Sequence, residues 1–210
     1  MAVEIIKVCG ITRVEDALHA AREGATAVGF NFYPGSPRFV DFGLAAILGS
    51  VVPRSVLKVG VFVDESAERI REVARAVGLH VAQLHGTESP HDCEVLAPLR
   101  VRKAVRIADG WNPESLAEYS CEAFLLDTAG EGGLRGGTGR SFPWEMARRA
   151  ARHGKIIIAG GLDGSNVAEA IRISAPWGVD ASSRLESSPG VKDPEKVREY
   201  LGNARSAENA

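Results

Sequence analysis

Short apolar runs recur along the chain, and between them apolar residues return every three or four positions. The runs cover 3–9, 25–32, 56–63, 80–84, 101–107, 122–127, 155–159 and 177–182, roughly one every 26 of the 210 residues. Several, such as "KIIIA" and "AFLLD", are near-continuous rather than alternating. That pattern suits strands covered on both faces, which parallel sheets with helical crossovers produce. In the intervening stretches Val14, Ala17, Leu18 and Ala21 fall on one helical face, as do Ala67, Ile70, Val73, Ala74 and Val77. Thr12 and Glu15 have capping-box spacing, and Ser66 stands one residue ahead of its helix. Eight such units predict an α/β fold: a single-domain (β/α)8 TIM barrel over residues 1–202, with a frayed tail over 203–210. An open doubly wound sheet shares this periodicity and is its rival.

Composition narrows the partners. The formal net charge of −2 offers no basic field for nucleic acid or an anionic membrane surface. No apolar stretch approaches the roughly 20 residues that span a bilayer, and the N-terminus has no signal-peptide pattern. Cys9, Cys93 and Cys121 are an odd number at unrelated spacings, which argues against a disulfide framework or zinc site and for the reducing cytoplasm. His19, His80, His85, His91 and His153 show no metal-ligand spacing. A small molecule is the partner this leaves, bound by a monomer or a homodimer.

In a βα barrel the chemistry sits where strands end. Strand one runs out at Cys9 and strand six at Asp127. A buried free cysteine is commonly a small hydrophobe, but here an adjoining helix N-terminus is expected to lower the thiol pKa. Asp127 could simply cap its loop. Taken together, a thiol and a carboxyl on well-separated strands suit a base and an acid on either side of a small substrate. "AGGL" and "DASS" end the last two strands, so Gly160, Gly161, Ser182 and Ser183 are candidates for the phosphate cradle this fold builds there. Arg38, restrained by Pro37, can present its fork to a carboxylate. Gln83 and His85 alternate on one strand end and face the same side; with Asp180 they are candidate substrate contacts. "GEGGLRGGTGRS" fails the phosphate-loop pattern, since Leu134 stands where a glycine is needed and Arg140 replaces the lysine. It is expected to form a lid over the end of strand six.

The stretches "KVCGIT", "GFNFYPGSPRFV", "VGVFVD", "QLHG", "LLDT", "GGTGRSF", "AGGL" and "GVDASS" followed by "SPGVKD" occur in an order and spacing that resembles the phosphoribosylanthranilate isomerase family, from about Glu4 to Tyr200. The resemblance implies a (β/α)8 barrel that performs an Amadori rearrangement without metal or cofactor. It implies Cys9 as general base, Asp127 as general acid, and Arg38 facing the anthranilate carboxylate. Arg184 departs from the pattern, which often has glycine there, and this puts the detail of phosphate binding in question. Two other readings stand beside this one: an aminoaldose isomerase of the histidine pathway, and a barrel that binds a phosphorylated metabolite without turnover. Cys9 and Arg38 speak against the first, and the presence of both members of the acid–base pair against the second.

Overall fold

The apolar runs become eight parallel strands that close on themselves. A computed structural model describes residues 3–108, 110–128 and 144–207. The strands are β1 (Ile5–Val8), β2 (Ala27–Asn31), β3 (Leu57–Phe62), β4 (Val81–Leu84), β5 (Arg100–Ile107), β6 (Ala123–Thr128), β7 (Lys155–Ile158) and β8 (Gly178–Ala181). They neighbour one another in chain order, and the register Ile5 to Gly178 and Lys7 to Asp180 between β1 and β8 completes the barrel. That closure excludes the open doubly wound sheet. Helices follow the strands as crossovers: α1 (Val14–Arg22), α2 (Phe42–Val51), α3 (Ala67–Val77), α4 (Pro90–Glu94), α5 (Glu145–Ala150), α6 (Val167–Ser174) and α7 (Pro194–Ser206). After β5 a 3-10 turn, Pro113–Glu118, takes the helix's place. A short antiparallel hairpin, β9 (Glu186–Ser188) and β10 (Val191–Lys192), lies between β8 and α7.

The main core lies between sheet and helices, and alternation along the strands sends the other side chains into the barrel. Ile5, Ala27, Val59 and Val81 fill one side of its interior, and Ala104, Ala123, Leu125, Ile157 and Ala159 the other. Trp177, just ahead of β8, packs on both groups, with the charges of Arg102 and Lys155 5.1 and 4.5 Å from its ring centre. One mouth of the barrel is thereby filled.

Three local expectations fare differently. Ser66 caps α3 by accepting from Arg69 N, and Ile70, Val73, Ala74 and Val77 are buried as predicted. At α1 the capping box does not form: Arg13 is the N-cap without a side-chain bond, and Thr12 Oγ1 donates to Gly190 O instead. The fully buried residues of α1 are Asp16, Ala17 and Ala20, with Val14 and Ala21 of the predicted face packed against the core beside them; Asp16 is held inward by accepting from Lys192 N of the hairpin. Residues 203–206 are not frayed. They finish α7, where Ala204 is buried and Asn203 Nδ2 donates to Gly164 O. No helix among the described residues is long and apolar enough to cross a membrane. The glycine-rich segment with Leu134 and Arg140, expected as a lid, lies outside the described residues.

Candidate active site

The open end of the barrel is a cavity of about 200 Å³. Cys9, Arg38, Gln83, His85, Asp127, Gly160, Gly161, Asp180, Ser182 and Ser183 all line it, joined by Arg184 and by Asn31, which sequence reasoning passed over. Cys9 follows β1 directly and is pinned by its N–H to Ala181 O. Asp127 is the last residue but one of β6, which is separated from β1 by β7 and β8. Thiol and carboxylate therefore approach the cavity from well-separated parts of the wall.

The thiol does not behave as the sequence suggested. Dense packing around Cys9 pushes its pKa up, with the positive charge of Lys7 as the largest opposing influence. The adjoining helix gives no help, because α1 starts at Val14 and its N-cap is Arg13. Lys7 itself is wholly buried and donates from Nζ to Asp180 Oδ2 at 2.7 Å. Burial works against that ammonium, but attraction from Asp180 and Cys9 prevails and raises its pKa. Burial lifts the Asp180 carboxyl, and Lys7 opposes the rise. At 2.7 Å the two form an ion pair. Asp180 Oδ1 is buried without a partner among the described residues, although the residue lines the cavity.

On the opposite wall, Gln83 and His85 face the same way, as their alternation requires. His85 Nδ1 lies 3.4 Å from Gln83 Nε2, and His85 Nε2 lies 3.2 Å from Asp127 Oδ2. If the amide nitrogen donates to Nδ1, the Nε2–H is left to donate to Asp127, a tautomer assigned from the network. About a quarter of the Asp127 side chain is exposed, so it is not enclosed in an apolar pocket.

Arg38 is no solvated loop arginine. Its Nε and Nη2 each donate to a Glu186 oxygen at 2.7 Å, a two-pronged pair that leaves Nη1 unused by Glu186. Lys192 Nζ donates to the same carboxylate at 2.9 Å, placed by the β9–β10 register. Burial pushes Glu186 up, yet Arg38 and Lys192 outweigh it and hold its pKa below the usual carboxylate value. Neither Glu186 nor Lys192 stood out in the sequence. Lys7 could have: a lysine in the middle of the apolar run "IIKVC" must be buried, and its two-residue offset puts it on the same side as Cys9.

At the third side of the cavity Gly160 and Gly161 have φ of 85° and 68°, left-handed values that favour glycine and let a ligand approach the backbone. Ser182 Oγ donates to Cys9 O, tying the ends of β1 and β8 together, while Ser183 opens a 3-10 turn and is exposed. Arg184 folds over this corner toward Asp163, with Nη1 3.1 Å from Oδ2.

The model of the N-(5'-phosphoribosyl)anthranilate isomerase family matches residues 6–203. The chain belongs to that family. It is 48% identical over 204 residues to an N-(5'-phosphoribosyl)anthranilate isomerase of Solibacter usitatus, covering 97% of this chain and 98% of the relative. The crystal structure of the phosphoribosylanthranilate isomerase of Thermotoga maritima superposes with a TM-score of 0.87 at 36% identity, over 98% of this chain and 100% of that one. A phosphoribosylanthranilate isomerase crystallised with reduced 1-(o-carboxyphenylamino)-1-deoxyribulose 5-phosphate superposes at 0.86 with 35% identity, again over 98% and 100%. This isomerase family accounts for the barrel as well as for the motifs.

Proposed function

We propose that the protein converts N-(5'-phosphoribosyl)anthranilate into 1-(2-carboxyphenylamino)-1-deoxyribulose 5-phosphate, an Amadori rearrangement of tryptophan biosynthesis. The observation that carries the assignment is the placing of a thiol and a carboxyl on separate walls of one cavity, in a chain of this family. Asp127 delivers a proton to the furanose ring oxygen, and the C1'–O bond breaks to leave a protonated Schiff base. Cys9 as thiolate then removes the proton from C2'. The electron pair moves into the iminium, and the resulting enolamine tautomerises to the ketone. Because the iminium is its own electron sink, the scheme calls on no metal or cofactor. General acid and general base each contribute about 10²–10⁴-fold by usual magnitudes.

Arg38 receives the anthranilate carboxylate, its guanidinium oriented from behind by Glu186. Gln83, His85 and Asp180 contact the sugar. The phosphate sits at Gly160, Gly161, Ser182 and Ser183, and clamping it there supplies positioning for the distant reacting carbon. Arg184 adds positive charge at that rim. The protein works on a small molecule in the cytoplasm, without nucleic acid or membrane, as a monomer or homodimer; a relative from Thermotoga maritima is described as dimeric. Loss of substrate fluorescence in a turnover assay with fresh phosphoribosylanthranilate tests the reaction. A folded protein that leaves the substrate unchanged contradicts it.

A further inference from the structure

Ile5, Lys7 and Cys9 share one side of β1, so the lysine lies one step deeper in the barrel than the thiol. The neighbouring strand leaves room for both through Gly29. A Cβ at that position would lie 2.7 Å from Cys9 Sγ, 3.0 Å from Lys7 Cε and 3.1 Å from Lys7 Nζ. Thiol and ammonium thus abut the same small volume, inside a wall where Lys7 has no exposed surface.

Stability gives a poor account of this lysine. Burying an ion pair costs desolvation of both charges, and a well-packed apolar replacement is often neutral or more stable. Nor does space alone call for the pair, since apolar side chains such as Ile5, Val59 and Val81 fill the neighbouring part of the barrel interior. What distinguishes the position is its neighbour. We propose that Lys7 is a positioning residue for the reaction: held by Asp180, its ammonium is the counter-charge that lets Cys9 exist as a thiolate when the proton of C2' is taken. This rests on the assignment of Cys9 as base given above. In the step itself the proton passes from carbon to sulfur, the electron pair passes into the iminium, and Lys7 stays protonated throughout.

The other charges around Cys9 are committed elsewhere. Lys192 of β10 and Arg38 of the loop after β2 both bind Glu186. The Tyr200 hydroxyl of α7 faces the Lys7 carbonyl at 3.4 Å. His85 and Asp127 pair with each other on the far wall. Lys7 binds Asp180 through one carboxylate oxygen only, and of the cations near the thiol it acts on it most strongly. A lysine suits this place because its charge is compact and sits on a chain narrow enough to run up the barrel interior.

The test reads thiol ionisation in the ligand-free protein, so it does not depend on turnover. In a Cys93→Ala, Cys121→Ala background, alkylation of Cys9 by iodoacetamide is followed against pH. With Lys7→Met the midpoint moves up by a pH unit or more, so at a fixed pH below it the rate falls at least tenfold. The pH profile of kcat/KM moves with it. A midpoint that stays with the parent in folded Lys7→Met overturns the proposal. A Lys7→Met chain that fails to fold reacts as a free thiol, and Lys7→Gln then decides, a midpoint that does not rise counting against the proposal. Should neither variant fold, the Lys7 Nζ resonance in protein carrying nitrogen-15-labelled lysine must follow the Cys9 titration, and a resonance indifferent to it overturns the proposal. Unmoved midpoints in an enzyme that turns over reject the role of Lys7 alone. Absent turnover in a folded wild type rejects the functional assignment instead.

Discussion

Adding one methyl group at Gly29 should separate the chemistry from the fold. The new Cβ would stand 2.7 Å from Cys9 Sγ and about 3 Å from the end of Lys7, inside the separation that real carbons keep. One of those groups must move by several tenths of an ångström, and β2 cannot yield easily because it is paired to β1 and β3. Overpacking of this kind costs about 1–3 kcal/mol. At roughly 2–4 °C per kcal/mol for a chain of this size, Tm should fall by roughly 2–12 °C. The effect on rate should be larger, because a displacement approaching 1 Å in a reacting group costs on the order of 10²-fold. Gly178→Ala is the control. Its Cβ would crowd Ile5 Cβ at 2.7 Å and Ile157 Cγ1 at 3.2 Å, deeper in the barrel and away from the thiol. Steady-state kinetics and thermal melts of the two variants should show similar losses of Tm, with a large loss of kcat in Gly29→Ala alone. Unchanged kcat in Gly29→Ala, or an equal loss in Gly178→Ala, refutes the packing argument.

Two further substitutions probe the cavity rim. Glu186→Gln leaves the buried Lys192 without its carboxylate and loosens Arg38, so stability should drop by roughly 3–5 kcal/mol and KM should rise more than kcat falls. A carboxyl whose folded pKa is depressed contributes stability that is complete above its unfolded value of about 4.3 and is lost as pH falls through the folded one. The Tm difference between wild type and Glu186→Gln should therefore shrink from pH 6 to pH 3, and a constant difference argues against the pair. Arg184→Gly removes an ion pair whose arginine is 59% exposed, so Tm should barely change. KM should rise about fivefold, equivalent to about 1 kcal/mol, and become less sensitive to salt; an unchanged KM removes Arg184 from phosphate binding.

Much of this molecule could be read from the chain because its order is local. The run at 101–107 became Arg100–Ile107 and that at 155–159 became Lys155–Ile158, since a strand covered on both faces leaves a near-unbroken apolar signature. Strand ends then located the cavity, as barrel geometry brings them to one face. What stayed hidden was set by partners far away in sequence. Asp16 is buried on α1 because it accepts from the N–H of Lys192, 176 residues on. Arg38 found its carboxylate 148 residues away in Glu186, and Lys7 found Asp180 at a distance of 173. The thiol pKa runs opposite to the sequence expectation for the same reason, because its determinants are burial and a buried lysine rather than the adjacent helix. The polar sequence of the last residues does not reveal that 203–206 complete α7, with Ala204 buried in the core.

The central claim is that Cys9 and Asp127 are the base and acid of the rearrangement. Turnover of phosphoribosylanthranilate by wild type, Cys9→Ala, Asp127→Asn, and a Cys93→Ala, Cys121→Ala double variant, at equal folded concentration, tests it most directly. Wild type and the double variant should consume the substrate at similar rates, and the other two should fall by at least about 10²-fold with little change in melting. Near-wild-type turnover in folded Cys9→Ala or Asp127→Asn would contradict the claim.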